Sequence, residues 1–402
     1  MKKQLIIIGG GFAGFWSAMS AVRQSRALNQ NEQLEITLVN TDNYFTIRPR
    51  LYEVSLEGLR VELDKYLQPL GIRQITGKAE AIHPERNEVV VATDYGIRNL
   101  SYDYLVLATG GALKAMDLPG IEHTQNIDTF AGAQKLEEHL IDLAKQQFSQ
   151  PGATTLIVAG AGFTGLEAVT GIAEKARMIS KTYTGHEPDF QVVLIDRGQK
   201  LGGFFSEEGQ EYIAAACAEK NIRVINGAEI KSIEKDLVLL SNGETIASRT
   251  VIWTVGMVAS SLTGSFQGER DNQNRLHVDT FLKLASYPNV IITGDVAHVS
   301  VDNGQTAVMA CQYAQFMGRW AGHNAVNDLF GEPLKEYIQN GYVTCLDLGG
   351  EHAVYTTGWE RSMQQSGAEA AATKKWVNTI LLYPPDSPEE AVAASYPEIP
   401  QF

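Results

Sequence analysis

The chain has 402 residues, 44% of them hydrophobic, with 33 basic against 47 acidic side chains and a formal net charge of −14. That length allows two or three domains of roughly 100–200 residues each. The acidic balance argues against a nucleic-acid partner, which needs clustered lysines and arginines, and weakens attraction to anionic lipid.

Three cysteines, Cys217, Cys311 and Cys345, lack CxxC spacing. Neither a zinc site nor a local redox disulfide is signalled, no metal is expected, and a reducing, cytoplasmic compartment fits. The first residues are too short for a signal h-region, and no apolar run approaches the roughly 18 residues of a transmembrane span.

The predicted elements begin with Leu5–Ile8, a continuous apolar run typical of a strand buried on both faces. It leads into Gly9-Gly10-Gly11-Phe12-Ala13-Gly14 and a helical pattern through Ala18 and Val22. A strand Glu35–Val39 ends at Asn40. At Leu156–Ala159 the pattern starts again, with Gly160-Ala161-Gly162-Phe163-Thr164-Gly165, a helix through Ile172, and a strand Gln191–Ile195 that ends at Asp196. Gln74–Gly77 is echoed by Val224–Gly227, and Leu105–Gly110 by Val251–Gly256. The offsets are 151 (Gly9 to Gly160), 150 (Gly77 to Gly227) and 146 (Gly110 to Gly256). Three landmarks in one register predict a single βαβ dinucleotide-binding unit made twice, each copy with a small β-meander before its last strand.

The expected fold class is therefore α/β, with two Rossmann-type dinucleotide-binding domains, inserted β-meanders and a C-terminal region. Leu118-Pro119-Gly120 marks the exit from the first unit, Ser149–Ala153 the approach to the second, and Ser260–Asn274 its close. The expected organisation is 1–118 as the first part of the first domain, 119–275 as the second domain, 276–335 as the rest of the first, and 336–402 as the C-terminal region. Lys181–Asp189 reads as a polar loop. The tail from Tyr383, with Pro384, Pro385, Pro388, Pro397 and Pro400, reads as extended chain.

A lone GxGxxG is weak, but each copy here follows a buried-type strand and opens a helix. Gly9 and Gly160 make the turn, Gly11 and Gly162 let the backbone approach a pyrophosphate, and Gly14 and Gly165 allow close helix–strand packing. Phe12, Ala13 and Thr164 lie in the first helical turn, where free N–H groups favour a diphosphate. Asp196 sits where a carboxylate accepts both ribose hydroxyls and repels a 2′-phosphate, which favours NADH; Arg197 beside it keeps NADPH open. Asn40 occupies the matching place in the first unit with neutral, weaker hydrogen bonding, and Asp42 is a substitute. Ala108-Thr109-Gly110 ends a strand in small residues that let the chain cross the adenosine end of a cofactor, and Gly256 holds the corresponding place in the second unit. Gly294-Asp295 ends another strand with an acid able to bond flavin ribitol hydroxyls. Thr306–Gly318 reads as a helix whose N-terminus faces the flavin ring and stabilises negative charge there. Arg48 and Arg50 either hold a cofactor pyrophosphate or line an anionic-acceptor pocket.

These residues, with Asn43-Tyr44-Phe45, Arg50–Glu53, Glu167 and Gly322–Pro333 (GHNAVNDLFGEP), carry a resemblance over nearly the whole chain to about residue 383. The sequence resembles the FAD/NAD-linked oxidoreductases of the pyridine nucleotide-disulfide reductase superfamily, and most of all the type II NADH dehydrogenases. The resemblance implies FAD in the first unit with Asp295 on its ribitol, and NADH in the second with Glu167 near the nicotinamide. It implies hydride transfer from NADH to FAD and then delivery of two electrons to a quinone-like acceptor. The alternative for Glu167 is an ordinary helix-face glutamate.

Ala307–Tyr313 matches the family's quinone-side segment, usually Ala-Gln-x-Ala-x-Gln-Gln. Gln312 is kept, while Val308 and Tyr313 replace the other glutamines. That departure, and an Arg48-Pro49 that resembles the Arg-Pro of ferredoxin and rubredoxin reductases, leaves a small redox protein or polar small molecule open as acceptor. A non-enzymatic nucleotide-sensing flavoprotein is a third reading. Sulfide:quinone oxidoreductases, close relatives, use a cysteine pair. Gly341–Gly350 resembles the segment with one of them, at Cys345, but the partner expected around Phe163-Thr164 is missing, so Cys345 and Cys311 read as buried thiols. Lys374–Tyr383 (KKWVNTILLY) reads either as an interfacial helix giving peripheral contact at the inner face of a membrane or as a segment packed on the flavin domain, with Lys375 approaching the active site. The family also implies a homodimer, although no segment marks its interface.

Overall fold

The computed structural model describes residues 2–399, the side chain of Asn303 excepted. Leu5–Ile8 lies at the centre of a six-stranded sheet. The strand Lys3–Ile8 pairs in parallel with Leu34–Asn40 on one side and Tyr104–Leu107 on the other. Arg73–Thr76 and Tyr287–Ile292 extend the sheet in parallel, and Lys283–Leu284 closes one edge antiparallel. The unbroken apolar runs are explained by burial on both faces. The helices Phe12–Ala27 and Cys311–Phe330 cross closely, because a Cβ at Gly318 or Gly322 would overlap the carbonyl oxygen of Ala13 or Ser17.

The second unit repeats the plan with four parallel strands in the order Ile222–Asn226, Gln191–Asp196, Thr155–Ala159 and Thr250–Trp253. Each unit inserts a three-stranded antiparallel meander directly before its last strand: Lys78–His83, Glu88–Thr93 and Gly96–Ser101 in the first, and Ile230–Ile233, Leu237–Leu240 and Thr245–Ala247 in the second. Gly111–Leu113 and Met257–Ala259, which leave the two last strands, pair antiparallel and tie the units together.

The C-terminal sheet Val343–Asp347, Ala353–Thr357 and Ser362–Ser366 packs Leu346, Leu348 and Val354 into the second unit's core. The following helix Gly367–Trp376 continues into a π-helical turn, Val377–Leu381, and Leu382 joins the first unit's core.

Three local expectations are corrected. The helix Phe163–Thr184 runs into the segment read as a loop from Lys181 and ends only at Gly185, in the left-handed region. Its polar residues there form the exposed face, while Ile179 and Ser180 are buried. The helix expected from Thr306 begins at Cys311, because the backbone N–H of Ala307 donates to Val299 and Thr306 bridges Ser300, which holds this stretch extended. Finally, the tail contains a helix, Pro388–Ala393, started by a capping box between Ser387 and Glu390 with proline in its first turn, where a missing N–H costs nothing. Pro400 lies outside the described residues.

Candidate functional site

The two fingerprints fold alike. Gly9 (φ 107°) and Gly160 (φ 98°) take up a backbone conformation that favours glycine. A Cβ at Gly14 would overlap the carbonyl oxygen of Gly9, and one at Gly165 that of Gly160. At Gly11 and Gly162, by contrast, an added Cβ would meet nothing within 4 Å. Neither helix that starts there has a side-chain cap. Each fingerprint thus spends two glycines on the fold and leaves the third facing open space beside free helix N–H groups, a shape and polarity suited to a diphosphate. Phe12 packs edge-on against Phe45 at 4.9 Å, and Ala13 lies against Gly294. Thr164 is exposed in the first turn of its helix.

The strand-end residues also correspond. Asn40 accepts a hydrogen bond from the N–H of Gly10 at 2.9 Å, and Asp196 accepts one from Ala161 at 3.0 Å and another from Gly198 at 2.8 Å. The Asn40 amide also donates to the Asp42 carbonyl oxygen at 3.0 Å, which a carboxylate there would not do. Asp42 is held by Arg60 at 2.8 Å and by the N–H of Tyr44 at 2.9 Å, so it does not stand free as a substitute ribose ligand.

Gly110 lies between Arg48 and Asp295: a Cβ on it would stand 3.9 Å from Arg48 Nη1 and 3.9 Å from Asp295 Oδ2. Arg48 donates to the Gly111 carbonyl at 2.9 Å and pairs with Asp128. Burial pushes the Asp295 carboxyl above its ordinary range, and Arg48 opposes that shift. Ala108 is buried, and the buried hydroxyl of Thr109 finds no hydrogen-bond partner among the described residues. Gly256 sits beside Lys114, whose N–H it accepts at 2.6 Å. Arg50 is different: it is locked to Glu53 at 2.6 Å and to the Tyr383 hydroxyl at 2.7 Å, away from Arg48's role.

Glu167 is only 8% exposed. It accepts from Lys374 Nζ at 2.7 Å and from the N–H of Asp347 at 3.2 Å; Asp347 in turn accepts from the Tyr52 hydroxyl at 2.8 Å. Burial pushes Glu167 above the ordinary carboxylate range against the pull of Lys374. Burial acts to lower Lys374, but Glu167 outweighs it and keeps the ammonium charged. The lysine expected here was Lys375, which is exposed. Lys374 reaches inward because it follows buried Ala370 by one helical turn; Lys375 follows Ala371 at the same spacing, so the sequence alone does not choose between them.

Cys311, Gln312 and Tyr313 form the first turn of the helix Cys311–Phe330. The Cys311 thiol feels the charges of Lys374, Asp295 and Glu167, so this helix start lies between the two halves of the site. Gln312 is half-buried, whereas Tyr313 is 1% exposed and stacks on Tyr342 at 6.1 Å. Burial pushes the thiols of Cys311 and Cys345 up to about 11. At pH 8 only about one in a thousand of either is thiolate. Alkylation followed by mass spectrometry will therefore be slow at both in the native protein and fast after unfolding; rapid native labelling of either would contradict this picture. Among the described residues no group of three or more His, Cys, Asp or Glu side chains could hold a metal ion, and no helix is long and apolar enough to cross a membrane.

Known proteins are similar to this chain in sequence and fold. Residues 3–318 match the pyridine nucleotide-disulphide oxidoreductase family. The chain is 36% identical over 400 residues to an NADH dehydrogenase-like protein of Mycobacterium tuberculosis, covering 98% of each chain. It is 25% identical to a type II NADH:quinone oxidoreductase of Staphylococcus saprophyticus, covering 95% of this chain and 96% of the other. In fold it is similar to NDH2 from Plasmodium falciparum in complex with NADH, with a TM-score of 0.80 at 15% identity and 98% coverage of both chains. It is also similar to the sulfide:quinone oxidoreductase of Aquifex aeolicus, with a TM-score of 0.73 at 21% identity, covering 98% of this chain and 92% of that one. The chain belongs to the pyridine nucleotide-disulphide oxidoreductase family and is an oxidoreductase of the NADH dehydrogenase type.

Proposed function

We propose that the chain holds FAD in its first unit, binds NADH in its second, and passes two electrons from NADH to a quinone-like acceptor. The observation that carries this reading is the doubled fingerprint, each copy with one glycine facing open space, in a chain of this family. The first unit's residues fit FAD: free N–H groups at Gly11, Phe12 and Ala13 for the pyrophosphate, Asn40 for the ribose, and the unpartnered Thr109 hydroxyl within Ala108–Gly110. Arg48 and Gly294-Asp295 line the far end. When bound, FAD supplies hydride acceptance and two-electron redox chemistry.

The chain's own groups do the rest. Gly162, Thr164 and Gly165 present the second helix terminus to the nucleotide, Gly256 leaves the chain room to pass it, and Asp196 orients a ribose. The Asp196 carboxylate disfavours a 2′-phosphate, so NADPH is the poorer donor despite Arg197. Glu167 and Lys374 place a buried ion pair at the nicotinamide end. Gln312 offers an amide to an acceptor carbonyl, and sealed Tyr313 shapes the wall behind it. An anionic acceptor is the second reading, motivated by the lost glutamines. It is weakened because Arg48 and Arg50 are already neutralised by Asp128 and Glu53.

We further infer peripheral membrane contact through the C-terminal helix, where Trp376 (47% exposed) and Ile380 (60%) stand one turn apart beside exposed Lys375. The limits 1–118 with 276–335, 119–275 and 336–402 are the domain division we assign, and a homodimer is compatible with it.

Anaerobic stopped-flow absorbance at about 450 nm tests the central reading. NADH should bleach the FAD band within the dead time to seconds, and a short-chain quinone should restore it rapidly. Slow restoration by every quinone would shift the assignment to another acceptor. A stable reduced complex with no acceptor turnover would favour a nucleotide sensor, and a protein that takes up no FAD would end the proposal.

A further inference from the structure

Arg361 lies in the turn between the C-terminal strands Ala353–Thr357 and Ser362–Ser366. Its φ of 48° lies in the left-handed region, as part of the turn closed by its N–H donating to the Gly358 carbonyl. The guanidinium leaves its own sheet and crosses to the second unit. There Nη1 donates to the Phe204 carbonyl at 2.9 Å, while Nη2 reaches the hydroxyl of Tyr342, in the C-terminal region, at 3.4 Å. Its carbon stands 5.4 Å from the Phe204 ring, 5.2 Å from Tyr342 and 5.9 Å from Phe163.

Those neighbours define the place. Phe163 is the first residue of the helix that the second fingerprint opens, directly after Gly162. Phe204 belongs to the loop that follows the strand ending at Asp196, and it packs on Phe163 at 5.3 Å. Arg361 therefore stands where the fingerprint helix, the loop after the ribose-reading strand and the C-terminal sheet meet. Within the described residues no carboxylate pairs with it, and its buried Nε has no hydrogen-bond partner. A guanidinium has five N–H donors in a planar fork suited to phosphate oxygens. Here most of them are unused, in a chain with 14 more acidic than basic residues.

We infer that Arg361 is a nucleotide-binding residue: the C-terminal sheet delivers its guanidinium as the counter-ion for the diphosphate of the dinucleotide held at Gly162. The aromatic rings of Phe163, Phe204 and Tyr342 hold the side chain at the mouth of the site, and the N–H groups of the helix terminus complete the anion's shell. The inference rests on the reading that the second fingerprint binds NADH. It adds that the site is closed by a part of the chain outside both Rossmann units, so the C-terminal sheet takes part in binding.

The probe is ADP-ribose, which has the diphosphate without the reactive ring, titrated calorimetrically into the FAD-loaded protein. Arg361→Gln should weaken its binding about tenfold and raise the KM for NADH by a similar factor, with kcat the less affected parameter. The dependence of binding on salt should flatten by about one charge, and Arg361→Lys should recover part of the affinity. Gly162→Val separates the two readings. If wild-type protein binds ADP-ribose, Gly162→Val does not, and Arg361→Gln binds as tightly as wild type, the role of Arg361 is overturned while the nucleotide site stands. If Gly162→Val binds ADP-ribose as wild type does, or wild type does not bind it, the site assignment fails and the inference with it. A lowered melting temperature in Arg361→Gln with unchanged ADP-ribose affinity would make the residue structural only.

Discussion

Gly162→Val will leave the protein folded and abolish its reduction by NADH, whereas Gly165→Ala, a smaller change three residues on, will damage the fold itself. Gly162 has φ −70° and ψ −178°, extended backbone open to any residue, and an added Cβ meets nothing within 4 Å. Valine therefore costs the apo chain little. What it fills is the space through which a diphosphate must approach the helix N–H groups, so binding is lost rather than stability. At Gly165 the added methyl would overlap the Gly160 carbonyl oxygen and stand 2.9 Å from Thr254 Oγ1. The helix cannot retreat, because the Gly160 turn is tied to Ile195 at 2.8 Å and Thr254 to Ala159 at 3.1 Å. Overpacking of this kind typically costs about 1–3 kcal/mol, and a clash with backbone belongs at the upper end.

The first unit provides the same contrast with a different readout. Gly11→Val should yield folded protein that purifies without flavin absorbance, and Gly14→Ala should lower the melting temperature. Circular dichroism, thermal melts and the visible spectrum separate the four variants. Gly162→Val protein that is bleached by NADH at the wild-type rate would remove the second fingerprint from the site.

The same contrast explains what could be read before the structure. Apolar runs, glycine spacing and the repeated landmarks are local signals, and strands buried on both faces leave no ambiguity about Leu5–Ile8 or Leu156–Ala159. The meanders followed from the repeat. The candidate site residues on these elements, Gly11, Asp196 and Asp295 among them, can be picked out from the sequence because each sits at a strand or helix end whose chemistry depends on position. The parts drawn from distant segments were not legible in this way. Lys374 was missed in favour of Lys375 because only the helix phase, fixed by Ala370 against its neighbours, decides which of two adjacent lysines turns inward. Arg361 gave no sequence signal, since its target lies about 160–200 residues away in the chain and is reached only through the sheet that presents it. The helix extended to Thr184 and the late start at Cys311 failed for a related reason: polarity and periodicity do not report the backbone hydrogen bonds that end or delay a helix.

Removing Lys374 should strongly destabilise the protein, because it leaves a buried carboxylate without its counter-charge. Glu167 is buried, and among the described residues its carboxylate keeps only one other hydrogen bond, from the N–H of Asp347 at 3.2 Å. With methionine at 374, the glutamate must remain as an uncompensated buried carboxylate, at about 3–5 kcal/mol, or take up a proton. Its folded pKa is already above the ordinary value through burial, and losing the lysine moves it further the same way. A carboxyl whose folded pKa is raised gives stability that is present below its unfolded value and lost as pH rises through the folded one. Lys374→Met should therefore lie nearest to wild type in acid and fall away as the pH rises from the ordinary carboxylate value through the raised folded one. Lys374 has its own folded pKa raised, so the wild-type pair keeps that contribution until the pH climbs above the ordinary lysine value. Glu167→Gln combined with Lys374→Met removes both charges and should recover most of the loss, which identifies the cost as one of unpaired charge rather than lost packing. Melting temperatures of wild type, Lys374→Met, Glu167→Gln and the double variant between pH 5 and pH 9 provide the test: a pH-independent gap for Lys374→Met, or a double variant no more stable than Lys374→Met, would mean that the ion pair is not what holds the C-terminal helix against Glu167.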